Sequence, residues 1–318
     1  MILSPVETLI EIRDERQLKA LTGLTEFQLE LLAQELAQVE LEQRQAKYER
    51  ARLEGQRTRK PGGGRRGRLT TPKTQVLFVL YYGKIYPTYD ELASRFGMSR
   101  SAAFDNLHKY FPLVQEALSR LGVLPSRTFA NPEEFREAVA GVSEIIIDVT
   151  ERRQVRPKDP VSQKDRYSGK KKMHTVKNTV IATLTTFILF IGQTFGGRHH
   201  DYKIFQADFS TNEAWFESKT VLVDLAYQGI DRDYEIRHLQ IPVKKPRTSK
   251  NHPHPTLTAE QTKWNQELSR QRVRVEHAIG GLKRFNLLAD RFRGRKPHFL
   301  DEALVMCAGF WNLNLLYV

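Results

Sequence analysis

The alternation of apolar and polar positions divides the chain into a helical N-terminal part and a C-terminal part in which strands and helices alternate. Residues 25–53 contain neither Gly nor Pro and are rich in Leu, Gln, Glu and Arg, which favours one long helix. Its apolar positions follow steps of three and four residues at Leu29, Leu32, Leu36 and Val39. This stripe predicts a face that packs on the next helices of the same chain or, as two heptads, a seam between two chains.

A group of three helices follows. An apolar run predicts the first over 74–82, and residues 88–97 predict the second, which Thr88 caps and Gly97 ends. The third begins at Ser99 after a turn of three or four residues, which is the spacing of a helix-turn-helix. In that interpretation, Ala103, Phe104 and Leu107 pack inward, and the side chains offered to a DNA major groove are Arg100, Ser101, Asn106 and Lys109. A plain αα-hairpin is the alternative.

The C-terminal part has the pattern of an α/β domain. β-Branched and aromatic residues predict strands over 143–150, 153–155, 173–184, 187–194, 220–225 and 241–244. Helices are predicted over 132–139, 200–206, 212–219, 230–238, 258–285 and 300–316. A strand meander followed by alternating helices and strands is typical of an α/β fold with a mixed sheet. The apolar closing helix is expected to cover one face of that sheet.

These patterns predict five regions along the chain. They are an N-terminal helical region 1–56, a basic Gly-rich linker 57–70, an all-α helix-turn-helix domain 71–124, a second linker 125–142 and a catalytic α/β domain 143–318.

The charge balance points to a polyanionic partner. The 318 residues include 50 Lys and Arg against 37 Asp and Glu, a formal net charge of +13, which favours nucleic acid. In the first linker, Arg65, Arg66 and Arg68 resemble a minor-groove hook, although a solvated basic linker is equally compatible. The lone Cys307 excludes an internal disulfide. With no signal-like start and no apolar run long enough for a membrane span, we expect a cytoplasmic protein associated with the nucleoid.

Three acidic residues are candidates for metal-dependent chemistry. Asp148 follows the apolar run 145–147 and Asp224 follows 221–223, so both are expected at the carboxyl ends of neighbouring strands. Glu276 lies on the long helix and can face the same rim. Such carboxylates suit two Mg²⁺ or Mn²⁺ ions about 3.5–4 Å apart, which promote in-line displacement at phosphorus. Taken singly, an aspartate that ends a strand often caps the following turn, and a glutamate on a basic helix usually makes a surface ion pair.

Basic and polar residues near these acids are candidates for phosphate contacts. Arg272 and Lys283 share a helix face with Glu276, although Arg272 and Glu276 also have the spacing of a simple ion pair. His200 and Asp201 are positioning candidates, with helix capping as the alternative for Asp201. The start of a predicted strand offers Lys170, Lys171, Lys172, His174 and Lys177. A solvated strand edge is the alternative for this group.

Five ordered segments resemble bacterial insertion-sequence transposases of the DDE endonuclease superfamily, near its Harbinger-like branch. They are residues 147–153, 167–177, 197–201, 223–229 and 275–285. The resemblance implies a ribonuclease-H-like catalytic fold with the triad Asp148, Asp224 and Glu276. It also implies cleavage at transposon ends and strand transfer, with double-stranded DNA as partner.

Two positions near the triad affect this interpretation. Many insertion-sequence relatives carry a tyrosine three residues before the arginine of the helix signature, and Ser269 stands there in this chain. Trp264 is a candidate for stacking on a flipped base, although packing is the more common role of a tryptophan on a helix face. Because two DNA ends are cut together, a homodimer or higher oligomer is expected. The alternatives are an inactive DNA-binding regulator and a nuclease of similar fold without a transposon partner.

Overall fold

A computed structural model describes residues 10–56, 67–248, 255–294 and 297–317. The helices in these segments are α1 Glu15–Thr22, α2 Glu26–Leu53, α3 Pro72–Ile85, α4 Tyr89–Arg95, α5 Arg100–Arg120, α6 Pro132–Ala138, α7 Pro160–Arg166, α8 Asp201–Asp208, α9 Ile230–Asp233, α10 Ala259–Leu282, α11 Asn286–Ala289 and α12 Pro297–Leu316. The strands are β1 Glu144–Arg153, β2 Tyr167–Ser168, β3 Met173–Thr183, β4 Ile188–Ile191, β5 Phe195–Gly196, β6 Phe216–Leu222 and β7 Ile236–Gln240.

Residue contacts divide the chain into two units. The first comprises Met1–Leu124, Arg284–Leu287 and Glu302–Val318, and the second comprises Pro125–Lys283 and Leu288–Asp301. Across the described segments, no helix combines the length and the apolar character needed to cross a membrane.

The apolar stripe of α2 is part of the first unit's own core. Its four side chains are at most 1% exposed, and α2 packs on α3 and α5. Thr25 caps the helix together with Gln28, which fixes where it begins. The stripe is therefore covered within the chain, so the alternative of a seam between two chains is wrong.

The three helices that follow α2 form as the pattern predicts. Thr88 caps α4, and Ser99 caps α5 by accepting a hydrogen bond from the backbone N–H of Ala102 at 3.2 Å. Gly97 follows the end of α4 with a φ of +60°, a conformation that glycine adopts without steric cost. Phe104 differs from expectation because its ring is 39% exposed and packs edge-on against Tyr89.

The closing helix α12 packs differently from the prediction. From Glu302 onward it belongs to the first unit, where Asn312 donates to the carbonyl of Val123 at 2.9 Å and Asn314 to that of Gly23 at 3.0 Å. Only its first residues, up to Asp301, belong to the unit that contains the sheet, where Arg152 of β1 donates to the carbonyl of Leu300 at 3.1 Å. Most of its positions are apolar, so the sequence contains no polar face that would reveal which surface the helix covers.

The second unit is a mixed α/β structure compatible with a ribonuclease-H-like fold. The strand order is β2-β3-β1-β6-β7, with β4 and β5 also paired to β3. The meander β1-β3-β4 is antiparallel, whereas β1, β6 and β7 are parallel. An aromatic core that includes Phe135, Phe205, Phe209 and Phe216 supports the sheet.

Several predicted elements of this unit are wrong. Strand β1 continues to Arg153 and absorbs the separate strand expected at 153–155, so Asp148 lies inside a strand and does not end one. Residues 212–219 form no helix, since β6 already begins at Phe216. The helix from Ile230 ends at Asp233, and the following strand is Ile236–Gln240, ahead of the predicted 241–244. Pairing with a neighbouring strand overrides local helix preference in these segments.

Candidate active site

The two predicted aspartates lie at matching positions along the neighbouring parallel strands β1 and β6. Strands β1 and β6 are parallel, and their last paired residues are Ile146 and Leu222. Asp148 and Asp224 each lie two residues beyond that pair. Because the strands run in the same direction, the two residues lie at matching positions along them, although β1 continues past Asp148 to Arg153 and Asp224 lies just beyond the end of β6.

A cavity of about 630 Å³ brings the predicted acids and cations together. Asp148, Asp224 and Glu276 all line it, and Glu276 reaches it from α10, which packs on β1 and β3. The predicted cations in its lining are Lys170, Lys171, Lys177, Arg272 and Lys283. The lining also includes residues that the sequence patterns do not single out, namely Glu151, Arg152 and Arg153.

Backbone N–H groups hold one oxygen of each aspartate. Asp148 Oδ1 accepts a hydrogen bond from the N–H of Val149 at 2.8 Å. Asp224 Oδ1 accepts one from the N–H of Ala226 at 2.7 Å and so caps the 3₁₀ turn Leu225–Tyr227. The capping alternative is therefore realised for Asp224. The capping hydrogen bond uses only one of the two carboxylate oxygens of Asp224. The other oxygen faces Arg272, which also lines the cavity.

Burial and like charges raise the pKa of Asp148. Burial is the main cause and brings the pKa to about 6, while the negative charges of Asp224 and Asp201 act in the same direction. The Val149 N–H and the positive charge of Arg272 oppose this rise. Burial, more than the balance of nearby charges, therefore favours the neutral form of the Asp148 carboxyl.

Arg272 pairs with an acid remote along the chain. Its Nη2 lies 4.0 Å from Asp224 Oδ2, and no carboxylate of Glu276 lies within that distance in the described segments. Arg272 Nε is also buried and makes no hydrogen bond to a described residue. The alternative of a simple ion pair between Arg272 and Glu276 is thus not formed. Burial and the nearby charge of Lys171 lower the pKa of Lys283, which lines the same cavity.

Asp201 is a fourth acid of the cavity. Lys177 Nζ donates to Asp201 Oδ1 at 2.8 Å and to the carbonyl of His199 at 2.9 Å. The N-cap of α8 is His200, whose side chain makes no capping hydrogen bond. Asp201 is the first residue of the helix, and its carboxylate lines the cavity. His199 Nε2 lies 2.8 Å from Asp165 Oδ1, which orients the loop before α8.

The predicted basic strand edge is instead a turn followed by a strand. Residues 170–172 connect β2 to β3, with Lys172 at φ +55°, so these three lysines precede the strand and do not lie on it. The His174 ring packs edge-on against Tyr167 with centroids 5.7 Å apart. The structure thus brings Lys170, Lys171 and Lys177 to the acids and places His174 against an aromatic ring.

The predicted DNA-binding side chains of α5 differ in their exposure and in the contacts that they make. Arg100 and Ser101 are exposed, and Arg100 Nε lies 3.7 Å from Asp90 Oδ2. Asn106 Nδ2 donates to the carbonyl of Ala102 at 2.8 Å, while Lys109 Nζ donates to the hydroxyl of Tyr110 at 3.0 Å. The last two side chains contact their own helix. Arg68 is exposed, whereas Arg65 and Arg66 lie outside the described residues.

The tryptophan of α10 is held at its polar end. Trp264 Nε1 donates to the carbonyl of Ile241 at 3.2 Å, and its ring is 39% exposed. Within the described segments, no group of three or more His, Cys, Asp or Glu side chains is arranged closely enough to hold a metal ion.

Comparison with known proteins gives two matches. Residues 147–312 match the family model of the DDE superfamily endonucleases. A probable transposase for insertion sequence element IS702 from Microchaete diplosiphon is 34% identical over 256 residues, which cover 79% of this chain and 83% of that protein. No solved structure matches the chain significantly.

Proposed function

The chain belongs to the insertion-sequence DDE transposases, and we propose that it binds the terminal inverted repeats of its element, cuts there and transfers the strand ends to a target. The observation that carries this proposal is the matching position of Asp148 and Asp224 along parallel strands, in a cavity that Glu276 also lines. Lys170, Lys171 and Lys283 line the same cavity as the acids. A DNA strand that enters this cavity would have its phosphates next to these cations. One of its phosphorus atoms would then lie next to the carboxylates.

Asp148, Asp224 and Glu276 are the proposed ligands of two divalent ions, Mg²⁺ or Mn²⁺. Their hard oxygen donors suit these ions, and Asp148 and Asp224 each retain an oxygen that takes no hydrogen bond within the described chain. The raised pKa of Asp148 supports the same assignment, because a cation would offset the cost of burying its negative charge and, after that, the repulsion from Asp224 and Asp201. When bound, such ions activate the attacking oxygen and stabilise the leaving oxygen.

The side chains around the acids have proposed roles of their own. Arg272 neutralises Asp224 in the free protein and is close enough to the acids to hold a phosphate oxygen of the strand being cut. Lys283 stands at the end of α10 and contributes a second cation to the same wall. Lys177 fixes Asp201 and so limits how far that carboxylate can turn. These contacts orient the strand before any bond is broken.

Sequence recognition is proposed to lie outside the cavity. Helices α4 and α5 would act as a helix-turn-helix, with Arg100 and Ser101 reaching base edges and Asn106 and Lys109 released from their helix on binding. The arginines Arg65, Arg66 and Arg68 would follow the adjacent minor groove. Cutting two ends together requires at least two copies of the chain, so a homodimer is part of the proposal.

Mapping the cuts on labelled inverted-repeat DNA tests this function. The full chain is incubated with its element's end sequence and Mg²⁺, and the cleavage position is read on each strand. Cuts confined to the element boundary that disappear in EDTA support the proposal. Binding without cutting would favour a regulator, and equal cutting of unrelated duplex would favour a nuclease without a transposon partner.

A further inference from the structure

A fully buried tyrosine next to the acidic cavity has a hydroxyl group without a partner. Tyr227 ends the turn Leu225–Tyr227, and its ring packs in the aromatic core near Phe205 and Tyr202. Its hydroxyl oxygen is closed to solvent and makes no hydrogen bond to any residue that the structure describes. An unpaired buried hydroxyl costs about 1–3 kcal/mol. In the free protein a phenylalanine would therefore be the more stable residue at this position.

A backbone hydrogen bond connects this tyrosine to Asp224. The N–H of Tyr227 donates to the carbonyl of Asp224 at 3.2 Å, and the neighbouring Ala226 N–H donates to the carboxylate of the same residue. The ring also lies 6.0 Å from that of Tyr202, which follows Asp201 directly in the chain. Burial, and after it the charges of Asp148, Asp201 and Asp224, raise the pKa of Tyr227. The phenol thus lies within electrostatic range of three carboxylates.

Among these three acids, Asp148 is the one that lacks a cationic partner. Asp201 is paired with Lys177 at 2.8 Å and Asp224 with Arg272 at 4.0 Å. In the described segments, no Lys or Arg nitrogen lies within 4.0 Å of Asp148, which takes a single hydrogen bond, from Val149. A neutral hydroxyl donor is the kind of group that can orient such a carboxylate without adding charge.

We propose that Tyr227 is a positioning residue of the cavity, whose hydroxyl donates a hydrogen bond to the carboxylate of Asp148 when that carboxylate binds a divalent cation. This inference rests on the proposed function, since it takes Asp148 as a ligand. The phenol does not contact the cation. It fixes the orientation of the carboxylate from the protein side, which is how hydrogen-bond donors behind a ligand stabilise metal sites.

The test compares Tyr227→Phe with Tyr234→Phe in the full chain. Tyr234 lies in the same aromatic core, but its hydroxyl donates to the carbonyl of Phe209 at 2.6 Å and so has a partner. Mn²⁺ affinity is measured by titration calorimetry, with Asp148→Asn used to identify the signal of the cavity. Thermal unfolding in EDTA gives the stability of each variant without metal.

The expected result separates the two tyrosines. Tyr227→Phe should bind Mn²⁺ about 10-fold more weakly, the lower end of the range for removing a donor that orients a metal ligand, while its metal-free stability is unchanged or higher. Tyr234→Phe should keep the wild-type affinity and be less stable by about 1 kcal/mol. Equal Mn²⁺ affinity of Tyr227→Phe and the wild type, or an equal decrease in both variants, would overturn the inference. If Asp148→Asn binds Mn²⁺ as the wild type does, or if the wild type binds none, Asp148 is not a metal ligand. The role inferred for Tyr227 then fails together with that assignment.

Discussion

Arg272 Nη2 lies 4.0 Å from Asp224 Oδ2, so a cation of the long helix faces an acid at the rim of the sheet. Arg272 also lowers the pKa of Asp148, whose carboxylate shares the cavity. One side chain thus offsets part of the charge of two proposed metal ligands. The same guanidinium is the group that we assign to a phosphate of the bound strand.

Replacing Arg272 should therefore change both ionisation and cleavage. In Arg272→Gln without metal, the pKa of Asp148 should rise above about 6, because an opposing positive charge is removed. Cleavage of end-bearing DNA should fall about 10- to 100-fold, the equivalent of one charge-assisted hydrogen bond. The ionisation is followed by NMR of labelled Asp carboxyl carbons, and cleavage by a nicking assay. Arg274→Gln, an exposed position on the same helix, is the control and should behave as the wild type.

The raised pKa of Asp148 predicts how stability varies with pH in the metal-free protein. Its folded pKa is about 6 against an ordinary value of 3.8, so the folded state binds the proton more tightly than the unfolded state. At low pH this group therefore adds to the free energy of unfolding, and that contribution is lost as the pH rises from about 4 to about 6. The loss is on the order of 3 kcal/mol. Urea unfolding at successive pH values in EDTA should show it.

The matched variant for this measurement is Asp148→Asn. It removes the titrating group, so the fall between pH 4 and 6 should shrink by about the same amount. At pH 7 the variant should be more stable than the wild type and should not cut DNA. A wild-type curve and a variant curve with the same slope would mean that Asp148 does not carry the shifted proton.

The burial of the α2 stripe predicts a stability effect that is independent of association. Leu36 is 0% exposed, so Leu36→Ala should lower the free energy of unfolding by about 2–5 kcal/mol. Leu53→Ala, at an 88% exposed position of the same helix, should change it by less than about 0.5 kcal/mol. Both should leave the mass in solution unchanged when measured by light scattering under native conditions. If Leu36→Ala caused an oligomer of the chain to dissociate while the free energy of unfolding stayed the same, the packing of this stripe within one chain would be contradicted.

The basic linker should contribute to DNA affinity through phosphates. Replacing Arg65, Arg66 and Arg68 by Gln should flatten the dependence of log affinity on log salt by up to about 0.9 for each phosphate that the arginines no longer neutralise. Fluorescence anisotropy over a series of salt concentrations measures this slope. Replacing Arg44, Lys47 and Arg50 on α2 gives a variant of equal charge change. If the two variants have the same slope, the effect reflects net charge and not the linker.

Much of the site was predictable because it depends on local patterns. An apolar run followed by an acid identified Asp148 and Asp224, and the strand pairing then placed them at matching positions along parallel strands. Helix spacing predicts that Arg272, Glu276 and Lys283 share one helix face, and all three line the cavity. The acid that Arg272 faces was not predictable, since a residue pair separated by 48 positions leaves no periodic signal.

The remaining errors arise where tertiary contacts decide. Residues 212–219 have helical composition, but Phe216 and Lys219 are buried in a strand that pairs on both sides. The partner of the apolar helix α12 was equally invisible, because such a helix suits any apolar surface. Tyr227, to which we assign a positioning role, lies within the segment 223–229 but is not singled out by the sequence patterns. Its position three residues after Asp224, within the turn that Asp224 caps, is the signal that identifies it.

A crystal structure with Mn²⁺ and a cleaved inverted-repeat end, with the metal located by anomalous scattering, tests the central claim most directly. We predict two ions about 3.5–4 Å apart, bound by Asp148, Asp224 and Glu276, with Glu276 turned inward from α10. Anomalous peaks elsewhere on the protein, with Glu276 directed away from the two aspartates beside a bound DNA end, would contradict it.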